Sequence, residues 1–95
     1  MAFAAADLTA TSTPATFTFN ANETIIIGLQ IANASNTTNV KVDVKLRGKY
    51  LLKNGMIPYG DSLSVLDGKI VAGNTDVLEV VTDGEPVDVI ISYTV

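Results

Sequence analysis

From Val40 to Leu46 apolar and charged side chains alternate without a break. Val40, Val42, Val44 and Leu46 are apolar, Lys41, Asp43 and Lys45 stand between them, and Arg47 follows in phase. Successive side chains on a strand point to opposite faces, so this segment predicts a strand with one buried and one wet face. Such a pattern belongs to an antiparallel sheet covered on one side. The same period recurs, less cleanly, along the chain. Thr16–Phe19 places Phe17 and Phe19 on one face. Thr24–Ala32 predicts a long strand with Ile25, Ile27, Leu29 and Ile31 facing one way. Thr24, Gly28, Gln30 and Ala32 face the other, joined by Ile26. Gly28 in that strand's interior marks a bulge or a close backbone approach. Further on, Val77, Glu79 and Val81 alternate with Leu78, Val80 and Thr82. In the last segment Val87, Val89, Ile91, Tyr93 and Val95 share a face.

Turn chemistry separates these runs. Asn20-Ala21-Asn22 and the polar stretch Asn33–Asn39 read as loops, because Asn, Ser and Thr satisfy their own turn backbone. Gly48 allows a hairpin, Lys49–Lys53 returns, and Asn54-Gly55 predicts a second turn. Pro58 and Gly60 lead into Ser62–Leu66. Asp67-Gly68 predicts a hairpin into Lys69–Ala72, and Asp83-Gly84-Glu85-Pro86 turns again. No stretch has helical period. Seven to eight strands separated by turns predict an all-β chain folded as an antiparallel β-sandwich or jelly roll. Residues 1–14 are small, rich in Ala and Thr, and without a useful period. They read as an extended arm ordered by a partner, with Phe3 and Leu8 as its large apolar anchors. Residues 15–95 are then a single β-sandwich domain.

Composition narrows the chemistry. The chain has 95 residues, of which 47% are hydrophobic and 17% charged, so one small core leaves apolar side chains over. That predicts a homo-oligomer, with a trimer favoured. His, Cys and Trp are all absent. Without His or Cys the usual ligands of zinc, copper and iron are missing, and neither a Ser-His-Asp nor a Cys-His device can be built. The expectation is a protein that is not an enzyme and holds no cofactor or metal.

The net charge of −4 argues against nucleic acid as a partner. The distribution is uneven, however. Lys41, Lys45, Arg47, Lys49 and Lys53 lie close together, while Asp61, Asp67, Asp76, Glu79, Asp83, Glu85 and Asp88 all follow them. A basic strand pair beside acidic loops can be a polarised docking surface, or simply a solvated face. No segment is expected to span a membrane, and Met1–Ala6 lacks the basic start and apolar length of a secretory signal.

Four motifs invite a chemical reading. Gly60-Asp61-Ser62-Leu63 spells the tetrapeptide of a hydrolase family, but the histidine base such enzymes use is absent from the chain. Asn22, Asn33 and Asn36 begin glycosylation sequons, which chance supplies in a chain rich in Asn and Thr. Asp61, Asp67, Asp76 and Asp83 offer oxygen ligands without the spacing of a calcium loop, and Asp before Gly is ordinary turn chemistry. Tyr50, Tyr59 and Tyr93 offer the rings of a sugar platform, but without Trp their better role is packing in a core or interface.

The segment Gly48–Ala72, GKYLLKNGMIPYGDSLSVLDGKIVA, carries a resemblance. Its order of YLLKN, MIPYG, Leu63 with Val65 and DGKIV resembles small virion proteins of tailed bacteriophages. Ile26–Asn33 (IIGLQIAN) and Val40–Leu46 (VKVDVKL) are similar to those chains as well, and Val87–Tyr93 (VDVIISY) resembles their last strand. The N-terminal residues depart from that pattern, and Thr94-Val95 replaces a Leu-Glu ending. The resemblance implies a structural virion protein. Two placements follow from it: a capsid decoration (cement) protein on the major capsid protein lattice, or a neck or tail fibre or adaptor component. A carbohydrate-binding module for host attachment is the remaining reading. The candidate partner-binding residues are Phe3, Leu8, Lys41, Lys45, Arg47 and Lys49.

Overall fold

A computed structural model describes residues 3–20, 23–66 and 68–94. The strands are β1 (Phe3–Ala10), β2 (Ala15–Thr18), β3 (Glu23–Ala32), β4 (Val40–Leu46) and β5 (Lys49–Ile57). They continue with β6 (Ser62–Ser64), β7 (Ile70–Gly73), β8 (Val77–Thr82) and β9 (Val87–Thr94). No helix occurs among the described residues. The first sheet runs β1-β9-β3-β6, with β7 also on β3, and the second runs β2-β8-β4-β5.

The pairing has one centre. Leu46 faces Lys49, Gln30 faces Ser64, Ala15 faces Val80 and Phe3 faces Thr94. The chain is therefore one long antiparallel hairpin folded about Arg47-Gly48. Its successive rungs are dealt alternately to the two sheets. Counting β6 and β7 as one interrupted edge strand, this is the winding of a jelly roll. Two further seams, β3 with β9 and β4 with β8, close the roll. The central turn suits its task. Arg47 and Gly48 have φ of 53° and 75°, and a two-residue turn with both φ positive matches the twist of the strands it joins.

The inner faces meet in one core. Val40, Val42, Val44 and Leu46 are all buried, as their alternation predicts, with Leu78 and Val80 beside them on β8. Opposite lie Ile26, Leu29 and Ile31 of β3 and Val87, Val89 and Ile91 of β9. Phe19 fills one end, 5.0 Å from Phe17 and 5.7 Å from Tyr93 between ring centroids.

Four expectations are corrected. The first concerns phase in β3. Ile26 faces Tyr93 and Gly28 faces Ser92, so Ile27 is an extra residue in the ladder. This bulge shifts the alternation: Thr24 and Ile26 point inward before it, and Leu29 and Ile31 after it. Ile27, expected on the same face as Leu29 and Ile31, is 38% exposed.

The second concerns the arm. Residues 3–10 form β1, whose eight residues pair in unbroken register with β9. Ala10 is fully buried, and Leu8 packs against the core of its own chain. Phe3 stands on the outer face, 75% exposed. The domain thus takes in the segment expected to wait for a partner.

The third concerns Asn54-Gly55. Strand β5 runs straight through it. Val42 faces Gly55 and Val44 faces Leu52, so Lys53 and Asn54 together oppose Asp43. Asn54 takes a φ of 54° and its N–H donates to Asp43 Oδ1 at 2.7 Å. A Cβ at Gly55 would lie 2.6 Å from Leu52 Cδ2, so the dipeptide serves a bulge rather than a turn.

The fourth concerns Asp67-Gly68. Strands β6 and β7 do not pair with each other. Both run antiparallel to β3, one along Gln30–Ala32 and the other along Glu23–Ile26, so the chain continues in one direction across residues 65–69. Asp67 itself, like Ala21, Asn22 and Val95, lies outside the described residues. Among the described residues nine strands form where seven to eight were expected, because β1 adds one and the predicted Ser62–Ala72 hairpin becomes an interrupted edge.

One buried polar residue holds the loops. Asn33 is 1% exposed. Its Nδ2 donates to Thr38 O at 2.8 Å and Ile57 O at 3.1 Å, and its Oδ1 accepts from Ser35 N at 3.1 Å. Its backbone N–H donates to Asp61 O, and its carbonyl accepts from Gly60 N. Three connections thus meet on one side chain and its own peptide groups.

Candidate functional site

The outer face of the second sheet carries the basic residues. Alternation on β4 turns Lys41, Asp43, Lys45 and Arg47 outward. Register then sets Lys45 between Glu79 on β8 and Tyr50 on β5, and Lys41 opposite Met56. The Tyr50 ring has Lys45 Nζ at 4.7 Å and Lys53 Nζ at 4.9 Å from its centroid. Each contact is worth about 0.5–1 kcal/mol at an exposed site, enough to bias a lysine but not to fix it. Lys49 is exposed at the hairpin end of this face.

Arg47 is placed differently from the lysines. Its Nη1 donates to Asp76 Oδ2 at 2.9 Å and to Val71 O at 3.2 Å. The same Oδ2 accepts the Gly73 N–H at 2.6 Å. That backbone N–H first, and the Arg47 guanidinium second, hold the Asp76 carboxyl below its ordinary value. Arg47 is therefore engaged with its own chain. Asp43 and Asp83 are also bound internally, accepting from Asn54 N and Lys41 N. Among the described residues the only ion pair is Arg47–Asp76, so Lys41, Lys45, Lys49 and Lys53 form no ion pair with any of them.

The outer face of the first sheet is a different surface. Its cross-strand rows read Ala5–Ser92–Gly28, Asp7–Ile90–Gln30–Ser64 and Thr9–Asp88–Ala32–Ser62. In those three rows the charges are the acids Asp7 and Asp88 and the side chains are otherwise mostly small or polar, whereas a fourth row, Phe3–Thr94–Ile25–Val71, exposes the apolar Phe3 and Val71. Ile90 projects from it, 51% exposed.

The six expected partner-binding residues do not form one patch. The structure gathers Lys41, Lys45 and Lys49 along β4 and the following hairpin, with Arg47 at the turn. Phe3 and Leu8 lie on the other sheet and on opposite faces of β1. Of the tyrosines, Tyr93 packs on Phe17 and Phe19. Tyr50 and Tyr59 are half exposed near opposite ends of β5, so they share no platform. In the GDSL segment Ser62 Oγ accepts a hydrogen bond from Gln30 Nε2 at 3.0 Å. Asn33, the head of one sequon, is buried and fully bonded in this fold, whereas Asn36 is exposed. No group of three acidic residues converges among the described residues.

Sequence reasoning missed the Arg47–Asp76 clamp and the Asn33 hub. The first had one signal, an acid closing a Gly-Asn-Thr turn, where a carboxylate commonly receives a backbone N–H. No family model, curated protein or solved structure matches the chain.

Proposed function

We propose that this chain is a structural protein of a bacteriophage particle, most concretely a decoration (cement) protein on the capsid lattice. It binds there through the lysine-bearing outer face of its second sheet. The observation that carries this reading is the sorting of charge between the two faces. Lys41, Lys45 and Lys53 stand on one face, with Lys49 at its end, and among the described residues none of them forms an ion pair. The cross-strand rows of the other face carry Asp7 and Asp88, and the one basic residue beside that sheet is Lys69, exposed just before β7. A body with its lysines gathered on one face suits docking by that face on an acidic protein surface, where complementary charge sets orientation and speeds encounter. The resemblance of Gly48–Ala72 to small virion proteins supports the same reading. The jelly roll is common in viral capsid domains, though also in lectins and cupins, so it supports the site argument without replacing it.

The test is a reconstruction of the purified particle. Density fitting this sandwich on the capsid lattice, second sheet inward, is the expected result. Density at a single axial position would assign it to the neck or tail instead. Particles lacking the protein would overturn both placements.

A further inference from the structure

We propose that β1 pairs edge to edge with β1 of a second copy of this chain across a two-fold axis, joining two five-stranded sheets into one. The inference rests on how the four sheet edges are protected, and it stands independently of the virion reading. An edge strand exposes unpaired N–H and C=O groups and recruits another strand unless something blocks it. Three edges are blocked. The β6/β7 edge is broken into pieces of three and four residues. The β2 edge has four residues and follows Pro14. The β5 edge is kinked by two register shifts and carries Lys49 and Lys53.

The β1 edge has none of these devices. Its eight residues pair with β9 without a shift, and they include no proline and no lysine. Ala4, Ala5 and Ala6 leave room beside the backbone for another strand. Its single charge is Asp7, on the outer face. Its outer edge pairs with no strand among the described residues.

Self-complementarity selects the second copy as occupant. A continuous sheet needs inner faces on the same side, so even-numbered residues must face even-numbered residues. Centring the axis on Asp7 would set that carboxylate against itself. Centring it on Ala6 gives the longest register that avoids this. Phe3 then faces Thr9 of the second copy, Ala4 faces Leu8, Ala5 faces Asp7, and Ala6 faces itself. The 75%-exposed Phe3 ring gains a neighbour on the outer face. A closed trimer would need β1 to pair with a different edge of the next copy, and each of those is blocked. Two like edges meeting give a two-fold dimer.

The register makes a charge test possible at Ala5. This residue lies on the exposed outer face opposite Ser92, so substitution there leaves the folded monomer intact. In the dimer it faces Asp7 of the second copy, twice. Sedimentation equilibrium of the full chain should show a monomer–dimer equilibrium. Ala5→Asp should raise the dissociation constant about tenfold, because like charges directly opposite oppose pairing. Ala5→Lys should leave it unchanged or lower it. Without any substitution, β1 amides should gain protection from hydrogen exchange as concentration rises. A monomer at every concentration up to about 1 mM would overturn the proposal. So would a trimer, a dimer indifferent to both substitutions, or β1 amides whose exchange is independent of concentration.

Discussion

Arg47 Nη1 lies 2.9 Å from Asp76 Oδ2 and fastens the midpoint of the chain to the turn before β8. Arg47 belongs to the two-residue turn about which the whole hairpin is folded, and Asp76 sits 29 residues further on. The turn's end is thereby held against the second hairpin layer. Thr75, with a φ of 69°, donates its N–H to Phe19 O at 2.7 Å, and Phe19 N donates to Asp76 O at 2.9 Å. The clamp therefore shares its loop with the backbone that seats the largest core ring.

The clamp predicts acid sensitivity with a definite sign. The Asp76 carboxyl titrates below its ordinary 3.8 because the Gly73 N–H and Arg47 favour the charged form. A depressed carboxylate contributes stability that is full above the unfolded value and is lost as pH falls through the folded one. Asp76→Asn should therefore melt below the wild type at neutral pH, and the gap should close as pH drops below about 4. Melting curves of both proteins from neutral to acid pH check this. A gap that stays constant would show that ionisation of Asp76 contributes nothing.

Asn33→Ala should be costly for a side chain in a loop. The substitution leaves Thr38 O, Ile57 O and Ser35 N without their partner. Leaving buried carbonyls unpaired costs about 1–3 kcal/mol each when water cannot reach them. Denaturant unfolding should show a loss of about 2–4 kcal/mol, and Asn33→Asp should recover less than half of it, because an acid cannot donate two hydrogen bonds. A loss under about 0.5 kcal/mol would place water at the site.

How much of this was legible depends on what each residue contributes to a pattern. Strand β4 was plain because Lys41, Asp43 and Lys45 interrupt valines in strict turn, and a sheet wet on one side permits no other phase. The phase of β3 was hidden in Ile25-Ile26-Ile27, where three alike residues fit either face, and only pairing with Tyr93 and Ser92 reveals the bulge. Strand β1 escaped because its alanines carry no period, so its place depends on β9, at the far end of the chain. Asn54-Gly55 misled because its tolerance of positive φ serves a bulge as well as a turn. The exposed lysines were readable as a face. The commitment of Arg47 to Asp76 was not, since a contact over that separation leaves no local mark.

The bulge at Ile27 separates two isoleucines that sequence alone treats alike. Ile91 is fully buried between sheets, whereas Ile27 stands out of the ladder, 38% exposed. Ile91→Ala should cost about 2–5 kcal/mol through lost burial and the cavity left behind. Ile27→Ala should cost under about 1 kcal/mol. Comparable losses from the two, measured by urea unfolding, would return Ile27 to the core face and remove the bulge.

Phe3 and Leu8 make a second such contrast, on the segment expected to be an arm. Leu8 faces Val89 and packs on the core, while Phe3 is 75% exposed. At concentrations low enough to keep the chain monomeric, Leu8→Ala should cost about 1–2 kcal/mol and Phe3→Ala less than about 0.5 kcal/mol. Deleting residues 1–10 should lower the melting temperature, because Val87, Val89 and Ile91 lose the strand that flanks them. A deletion that leaves the melting temperature unchanged would restore the arm.

The lysine face makes the sharpest demand on the proposed function. Lys49 is exposed and Lys45 half-buried on the outer face, so both can exchange without disturbing the core, and neither is in an ion pair among the described residues. Reversing both, Lys45→Glu with Lys49→Glu, should leave the melting temperature within a few degrees of the wild type. It should abolish incorporation into particles, since a cationic face meeting an acidic lattice becomes repulsive. The reversed pair Asp7→Lys with Asp88→Lys, on the opposite face, should leave incorporation intact. Salt separates charge from shape: raising it should weaken wild-type binding in proportion to the lysines engaged and leave any apolar contribution in place. Loss of incorporation with the second pair and not the first would mean that the molecule docks by its other sheet.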